Sequence, residues 1–143
     1  MTCGFRAAVV ASAFAAVSCG AVIGQVPFAD EGTGEAVINA EAGEVRFWTD
    51  FSARFPGFME ARYDVELLQD GTVVAVATCD PFHYVPKVCY ATVKTFERRD
   101  LHCRMTCSAV VPRAGPITVR ARFSIRGRPR NLQLARAHLV VRQ

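Results

Sequence analysis

Ala61 to Cys79 reads ARYDVELLQDGTVVAVATC, and this stretch decides the fold. Tyr63, Val65 and Leu67 alternate with Arg62, Asp64 and Glu66, the two-residue period of a strand with one apolar face. Thr72 to Cys79 is a second run, rich in Val and Thr. Between them stands Asp70-Gly71, a pair that tolerates the positive φ of a two-residue hairpin loop. The stretch therefore predicts two antiparallel strands joined by a tight turn.

The same pattern continues in both directions. Upstream, 53–59 (ARFPGFM) is a loop around Pro56-Gly57, and 45–51 alternates with Val45, Phe47 and Phe51 on one face. A turn at 41–44 and a short strand at 35–40 precede it. Downstream, 80–87 (DPFHYVPK) holds two prolines and reads as a loop. Residues 88–96 and 101–111 follow as strands, with 97–100 as their turn. The cleanest strand is 117–126, where Ile117, Val119, Ala121, Phe123 and Ile125 oppose Arg120, Arg122, Ser124 and Arg126. In the last strand, 132–141, the apolar parity switches, which predicts a β-bulge near Ala135-Arg136. After the first two dozen residues no stretch keeps a helical apolar period.

Seven to nine such strands predict an all-β, two-sheet antiparallel β-sandwich. A jelly-roll arrangement fits best, because its opening and closing strands commonly lie side by side. The layout resembles, in pattern, the jelly-roll sandwiches of carbohydrate-binding modules. A fold of this kind does not by itself carry a function.

Residues 1–24 read as a signal peptide. Met1 to Arg6 carries one positive charge, and Ala7 to Ser18 is an unbroken small-apolar run, too short to span a bilayer as a helix. Small residues at Cys19/Ala21 or at Val22/Gly24 suit an ordinary signal peptidase. Alternatively Ala16-Val17-Ser18-Cys19-Gly20 resembles a bacterial lipobox, which makes Cys19 a lipidation candidate. Residues 25–34 read as a linker or N-terminal arm, and 35–143 as the β-sandwich domain. About 120 residues beyond the leader suffice for one core. The expected setting is periplasmic, outer-membrane-tethered or extracellular, with the membrane reached only through an N-terminal lipid anchor.

Four cysteines lie beyond the leader: Cys79, Cys89, Cys103 and Cys107. An even number in an exported domain reads as two disulfides, and the spacings lack the paired knuckles of a zinc ribbon. Cys103 and Cys107 lie four residues apart on one strand, roughly 13 Å, too far for a disulfide. That leaves Cys89–Cys107 with Cys79–Cys103, favoured by the expected hairpin, or Cys79–Cys107 with Cys89–Cys103.

Charge is unevenly spread. Between Gln25 and Asp80 there are eleven acidic residues and three arginines, a balance of −8; beyond Asp80 there are two acidic residues and thirteen Lys or Arg, a balance of +11. One reading is a basic face for an anionic partner, formed by Arg120, Arg122 and Arg126 with Arg128 and Arg130. The other is internal compensation, with Asp64 and Glu66 lying across from Arg120 and Arg122. Nucleic acid is not an expected partner, since no stacking motif accompanies the charge.

Trp48, Phe55 and Phe58 are the candidate ligand platform, because an aromatic face beside polar groups stacks on a sugar ring. Tyr84, with His83, extends the set. No nucleophile–base spacing, G-x-S-x-G, H-E-x-x-H or phosphate loop occurs, so no catalytic residue, metal or cofactor is expected. The expectation is a non-catalytic binding module of the bacterial envelope, for glycan, or alternatively a structural subunit that binds another envelope protein.

Overall fold

The computed structural model describes residues 20–82, 90–95 and 98–143, with the backbone alone over 90–95 and 98–106. The predicted hairpin is there: β4 (Glu60–Gln69) and β5 (Thr72–Cys79) pair antiparallel around a two-residue turn. Asp70 and Gly71 take φ of 51° and 77°, the left-handed values the sequence pair was read for.

Around this hairpin the chain forms β1 (Val22–Val26), β2 (Gly32–Ala40), β3 (Gly43–Arg54), β6 (Tyr90–Thr95), β7 (Arg98–Val111), β8 (Gly115–Arg126) and β9 (Gln133–Arg142). They make a five-stranded sheet, order β1-β9-β3-β7-β6, facing a four-stranded sheet, order β2-β8-β4-β5, all antiparallel. With β6 set aside, the pairs β1–β9, β2–β8, β3–β7 and β4–β5 nest from the termini inward. That is one long hairpin rolled into two sheets, the jelly-roll wrapping. Among the described residues no helix is long and apolar enough to cross a membrane.

The core follows the alternation. Val45, Phe47 and Phe51 of β3, Tyr63, Val65 and Leu67 of β4, Ile117, Val119, Ala121 and Phe123 of β8, and Leu139 and Val141 of β9 are all buried. Each of the Val, Leu, Ile and Phe side chains contributes roughly 1.5–3 kcal/mol by leaving water. At the centre Tyr63 lies against Phe123, ring centroids 4.8 Å apart, and Phe28 touches both at 5.8 Å. The Tyr63 hydroxyl donates to the Ala137 carbonyl at 2.7 Å.

The bulge expected near Ala135-Arg136 is present. Ser52 faces Arg136 and the next residue, Ala53, faces Leu134, so Ala135 is skipped in the register. This lets Leu134 pack against the core beside Ala137 and Leu139 despite their opposite parities.

Strand structure begins earlier than the sequence reading placed it. Val22–Val26 pairs with β9, and β2 opens at Gly32, so the segments read as leader end and linker contribute to both sheets. Gly24 explains the fit: a Cβ there would lie 2.2 Å from Cγ2 of Ile38, so only glycine lets β1 cross β2 this closely.

The favoured disulfide pairing is corrected. Cys79 bonds Cys107, with Cα atoms 5.4 Å apart, and ties the end of β5 in one sheet to β7 in the other. The expected hairpin would have set Tyr90 opposite Thr106; β7 instead begins at Arg98, and Tyr90 pairs with His102. That four-residue shift leaves Cys107 beyond the reach of β6 and facing Cys79. Cys89 lies outside the described residues, as do residues 1–19, His83 and Tyr84.

Candidate functional site

The outer face of the four-stranded sheet can be read row by row from its register. Val37, Thr118, Leu68 and Val73 form the first row. Glu35, Arg120, Glu66 and Val76 form the second, and Thr33, Arg122, Asp64 and Thr78 the third. Beyond them Ser124 faces Arg62 and Arg126 faces Glu60. The predicted crossings of Asp64 with Arg122 and of Glu66 with Arg120 are therefore both in register.

These rows are electrically balanced: Glu35, Glu60, Asp64 and Glu66 stand among Arg62, Arg120, Arg122 and Arg126. Arg120 bonds the Glu35 carboxylate and lies 3.4 Å from Glu66, and the bond to Glu35 holds its pKa above the usual arginine value. Arg62 reaches Asp64 at 3.1 Å, while Arg126 comes within only 4.0 Å of Glu60. Of the three arginines read as an anionic-partner face, Arg120 is thus engaged between two carboxylates, and the other two share their rows with acids.

At the Glu60 end of this face lies a groove of about 570 Å³. Its floor and sides come from three strands: Glu60 and Arg62 of β4, Thr78 and the following Asp80 at the end of β5, and Ser124, Ile125 and Arg126 of β8. Phe58 closes one side. The 55–59 loop explains why: Phe55 and Met59 are buried and anchor the two ends, and the chain reverses at Pro56 and at Gly57, whose φ is +74°. Phe58 is left 76% exposed beside the groove.

The opposite wall is held by covalent and local bonds. Cys79 is fixed to Cys107, and Asp80 Oδ1 accepts the Phe82 N–H at 2.8 Å. Phe82 in turn packs edge-on against Phe51 and Phe55, at 5.4 and 6.5 Å. The β8 side is braced from the 27–31 loop. Arg128 makes a two-pronged contact with Asp30, at 2.7 and 3.0 Å, and reaches Glu31 at 3.0 Å. Glu31 also accepts the Ile125 N–H at 2.6 Å. Hydrogen bonding from Arg128 holds the Asp30 carboxyl below its usual range.

The sequence-predicted platform is not one site. Phe58 is at the groove, but Phe55 is core, only 2% exposed, and is withdrawn as a ligand contact. Trp48 lies on the outer face of the other sheet, opposite Val140. The Arg142 guanidinium covers its ring, 4.4 Å from the centroid, and its indole Nε1 is buried. Trp48 therefore does not join Phe58, and Arg142 occupies one face of its ring. Thr78, Asp80 and Ser124 were missed as site residues; their only signal was a polar residue at the strand end nearest the Pro-Gly loop.

A second depression, of about 420 Å³, follows the β9 bulge and is lined by Ser52, Arg54, Gln133 and Leu134 among others, without an aromatic. Among the described residues no group of three or more His, Cys, Asp or Glu could hold a metal ion. No protein-family model matches the chain, and no curated protein matches it in sequence.

Proposed function

We propose that the chain is an exported, non-catalytic binding module of the bacterial cell envelope, and that its ligand is a neutral glycan held in the groove beside Phe58. One observation carries this reading: an open aromatic ring stands at a groove whose polar side chains, Glu60, Arg62, Thr78, Asp80, Ser124 and Arg126, mix donors and acceptors. A sugar ring offers that combination of an apolar C–H face and a rim of hydroxyls. The two arginines and two carboxylates of the groove balance in charge, which favours a neutral ligand over an acidic polymer. The Cys79–Cys107 disulfide agrees with an oxidising, exported setting.

A glycan-array screen of the leaderless domain, run beside Phe58→Ala and Trp48→Ala, tests this. The expected result is binding that Phe58→Ala abolishes and Trp48→Ala retains. No binding to any neutral glycan, or binding indifferent to Phe58, sinks the reading.

The alternative, a partner protein, has its own support in β5. This edge strand of the four-stranded sheet has no charged residue from Thr72 to Cys79, and it exposes Val73 and Val76. Such an edge accepts an added strand. Loss of partner capture on Val76→Lys, with glycan binding unchanged, would favour that alternative.

A further inference from the structure

We propose that His138 is an acid-released latch: protonation of its imidazole frees the Phe28 N–H and loosens the 27–31 loop that braces the β8 wall of the groove. The consequence for binding rests on the groove reading above, whereas the latch itself does not. Its ground is a bond that replaces a rung of the sheet. β1 ends at Val26, and Pro27 has no amide hydrogen, so the Phe28 N–H is the first backbone donor beyond the strand. The register of β1 on β9, with Val26 opposite Leu139, carries Phe28 to Ala137. A regular antiparallel pair there would exchange two backbone bonds. One is made, from the Ala137 N–H to the Phe28 carbonyl at 3.2 Å. The Ala137 carbonyl instead accepts the Tyr63 hydroxyl at 2.7 Å, and the Phe28 N–H turns to His138 Nδ1 at 3.2 Å.

A nitrogen that accepts an N–H must carry a lone pair, so this bond exists only while Nδ1 is unprotonated. Imidazolium offers two donors and no acceptor, and histidine is the side chain that makes this change between about pH 5 and 8. Phe28 is buried, and an N–H left there without an acceptor is costly. The loop that Phe28 anchors runs directly to the brace. Asp30 and Glu31 hold Arg128, and Glu31 accepts the N–H of Ile125, a residue that lines the groove, at 2.6 Å. The charged groups about His138 come from both neighbouring strands and the loop. Asp50 of β3 stands opposite it and is bonded by Arg136 of β9 at 3.1 Å. His102 of β7 holds the next place in that row. Asp30 and Glu31 lie on the loop, and β1 brings no ionisable residue.

Amide exchange of the full-length chain, followed by NMR without ligand and corrected for the intrinsic rate at each pH, tests the latch. Between about pH 7.5 and about pH 5, protection at Phe28 is expected to fall by about threefold to tenfold, the worth of one hydrogen bond. The midpoint should be that at which the His138 ring protons titrate, and protection at Ile125 should fall with it. His138→Asn places an amide oxygen near the position of Nδ1 and does not titrate, so it should keep both amides protected throughout. His138→Phe, which has no acceptor, should leave Phe28 poorly protected at either pH. Phe28 protection that ignores the His138 titration overturns the proposal. So does an acid loss that survives in His138→Asn, which would belong to Asp30 or Glu31. A fall at Phe28 with Ile125 unchanged overturns the link to the groove wall. A failed glycan screen leaves these readings standing, and a failed latch leaves the groove reading standing.

Discussion

Tyr63 concentrates several roles in one side chain. It fills the middle of the core, touches Phe28 and Phe123, and satisfies the otherwise buried Ala137 carbonyl. Tyr63→Phe keeps the ring and removes the donor, so it should destabilise the domain by about 1–3 kcal/mol at neutral pH, read by urea denaturation. The pH dependence has a definite sign. Burial raises the phenol pKa above its ordinary value, so the folded chain keeps a proton that the unfolded chain releases once pH exceeds about 10. The contribution of Tyr63 is therefore complete below that pH and is lost as pH rises, by up to about 1.4 kcal/mol per unit. The stability gap between the native chain and Tyr63→Phe should narrow above pH 10; a constant gap would contradict a buried neutral phenol. Gly24 poses the opposite test. Gly24→Val adds bulk where a Cβ already meets Ile38 and should cost about 1–3 kcal/mol by denaturant melting, although the substitution raises strand propensity.

At the scale of strands, the sequence was most readable where one face is apolar and the partner is near. The β4–β5 hairpin and the alternation of β8 follow directly from a period of two. Even the β9 bulge was visible, because a parity switch between Leu134 and Ala137 has no other way to keep both inside. β1 was not readable: its glycine serves close approach, and its partner lies at the far end of the chain. The β6–β7 register was misread because Arg98, Arg99 and Asp100 look like a turn by charge yet pair as strand with Thr95, Val93 and Thr92. The groove was hidden for a further reason, since it gathers single polar residues from the ends of three strands. Within the 55–59 loop, sequence alone does not say which phenylalanine the Pro-Gly reversal turns outward. The inter-sheet disulfide yields a prediction for β5. Cys79→Ala with Cys107→Ala opens a bond spanning 28 residues and should cost about 2–4 kcal/mol in urea unfolding. Because Asp80 follows Cys79 directly, ligand binding should also weaken while far-ultraviolet circular dichroism still reports native strand; unchanged affinity would mean that the Asx turn to Phe82 positions Asp80 unaided.

Over the whole molecule, the rolled hairpin sorts its connections onto two ends. The 27–31, 55–59 and 127–132 loops share the groove end, and Arg128 ties the first to the last through Asp30 and Glu31. The tight turns at 41–42, 70–71 and 112–114 share the other, where Arg113 bonds Asp70 and Gln69 donates to the Arg113 carbonyl. Nesting also interleaves the acidic first half with the basic second, so that, among the described residues, Arg120 meets Glu35 and Glu66, Arg136 meets Asp50 and Arg128 meets Asp30. Gly20 and Gln143 lie at the turn end, because Gln143 holds Glu41. β4 runs from the groove at Glu60 to Gln69 at that end, and ten residues of strand span roughly 30 Å. Gly20 therefore stands about a full strand length from the groove. Surface plasmon resonance tests this geometry without altering a groove residue. The domain captured through a tag after Gln143 should bind its glycan with the affinity measured in solution, within about twofold, a difference of roughly 0.4 kcal/mol. An antibody fragment against the 127–132 loop should block binding, because that loop continues from Arg126 at the groove. Loss of affinity on C-terminal capture, or indifference to the fragment, would move the site away from this end of the sandwich.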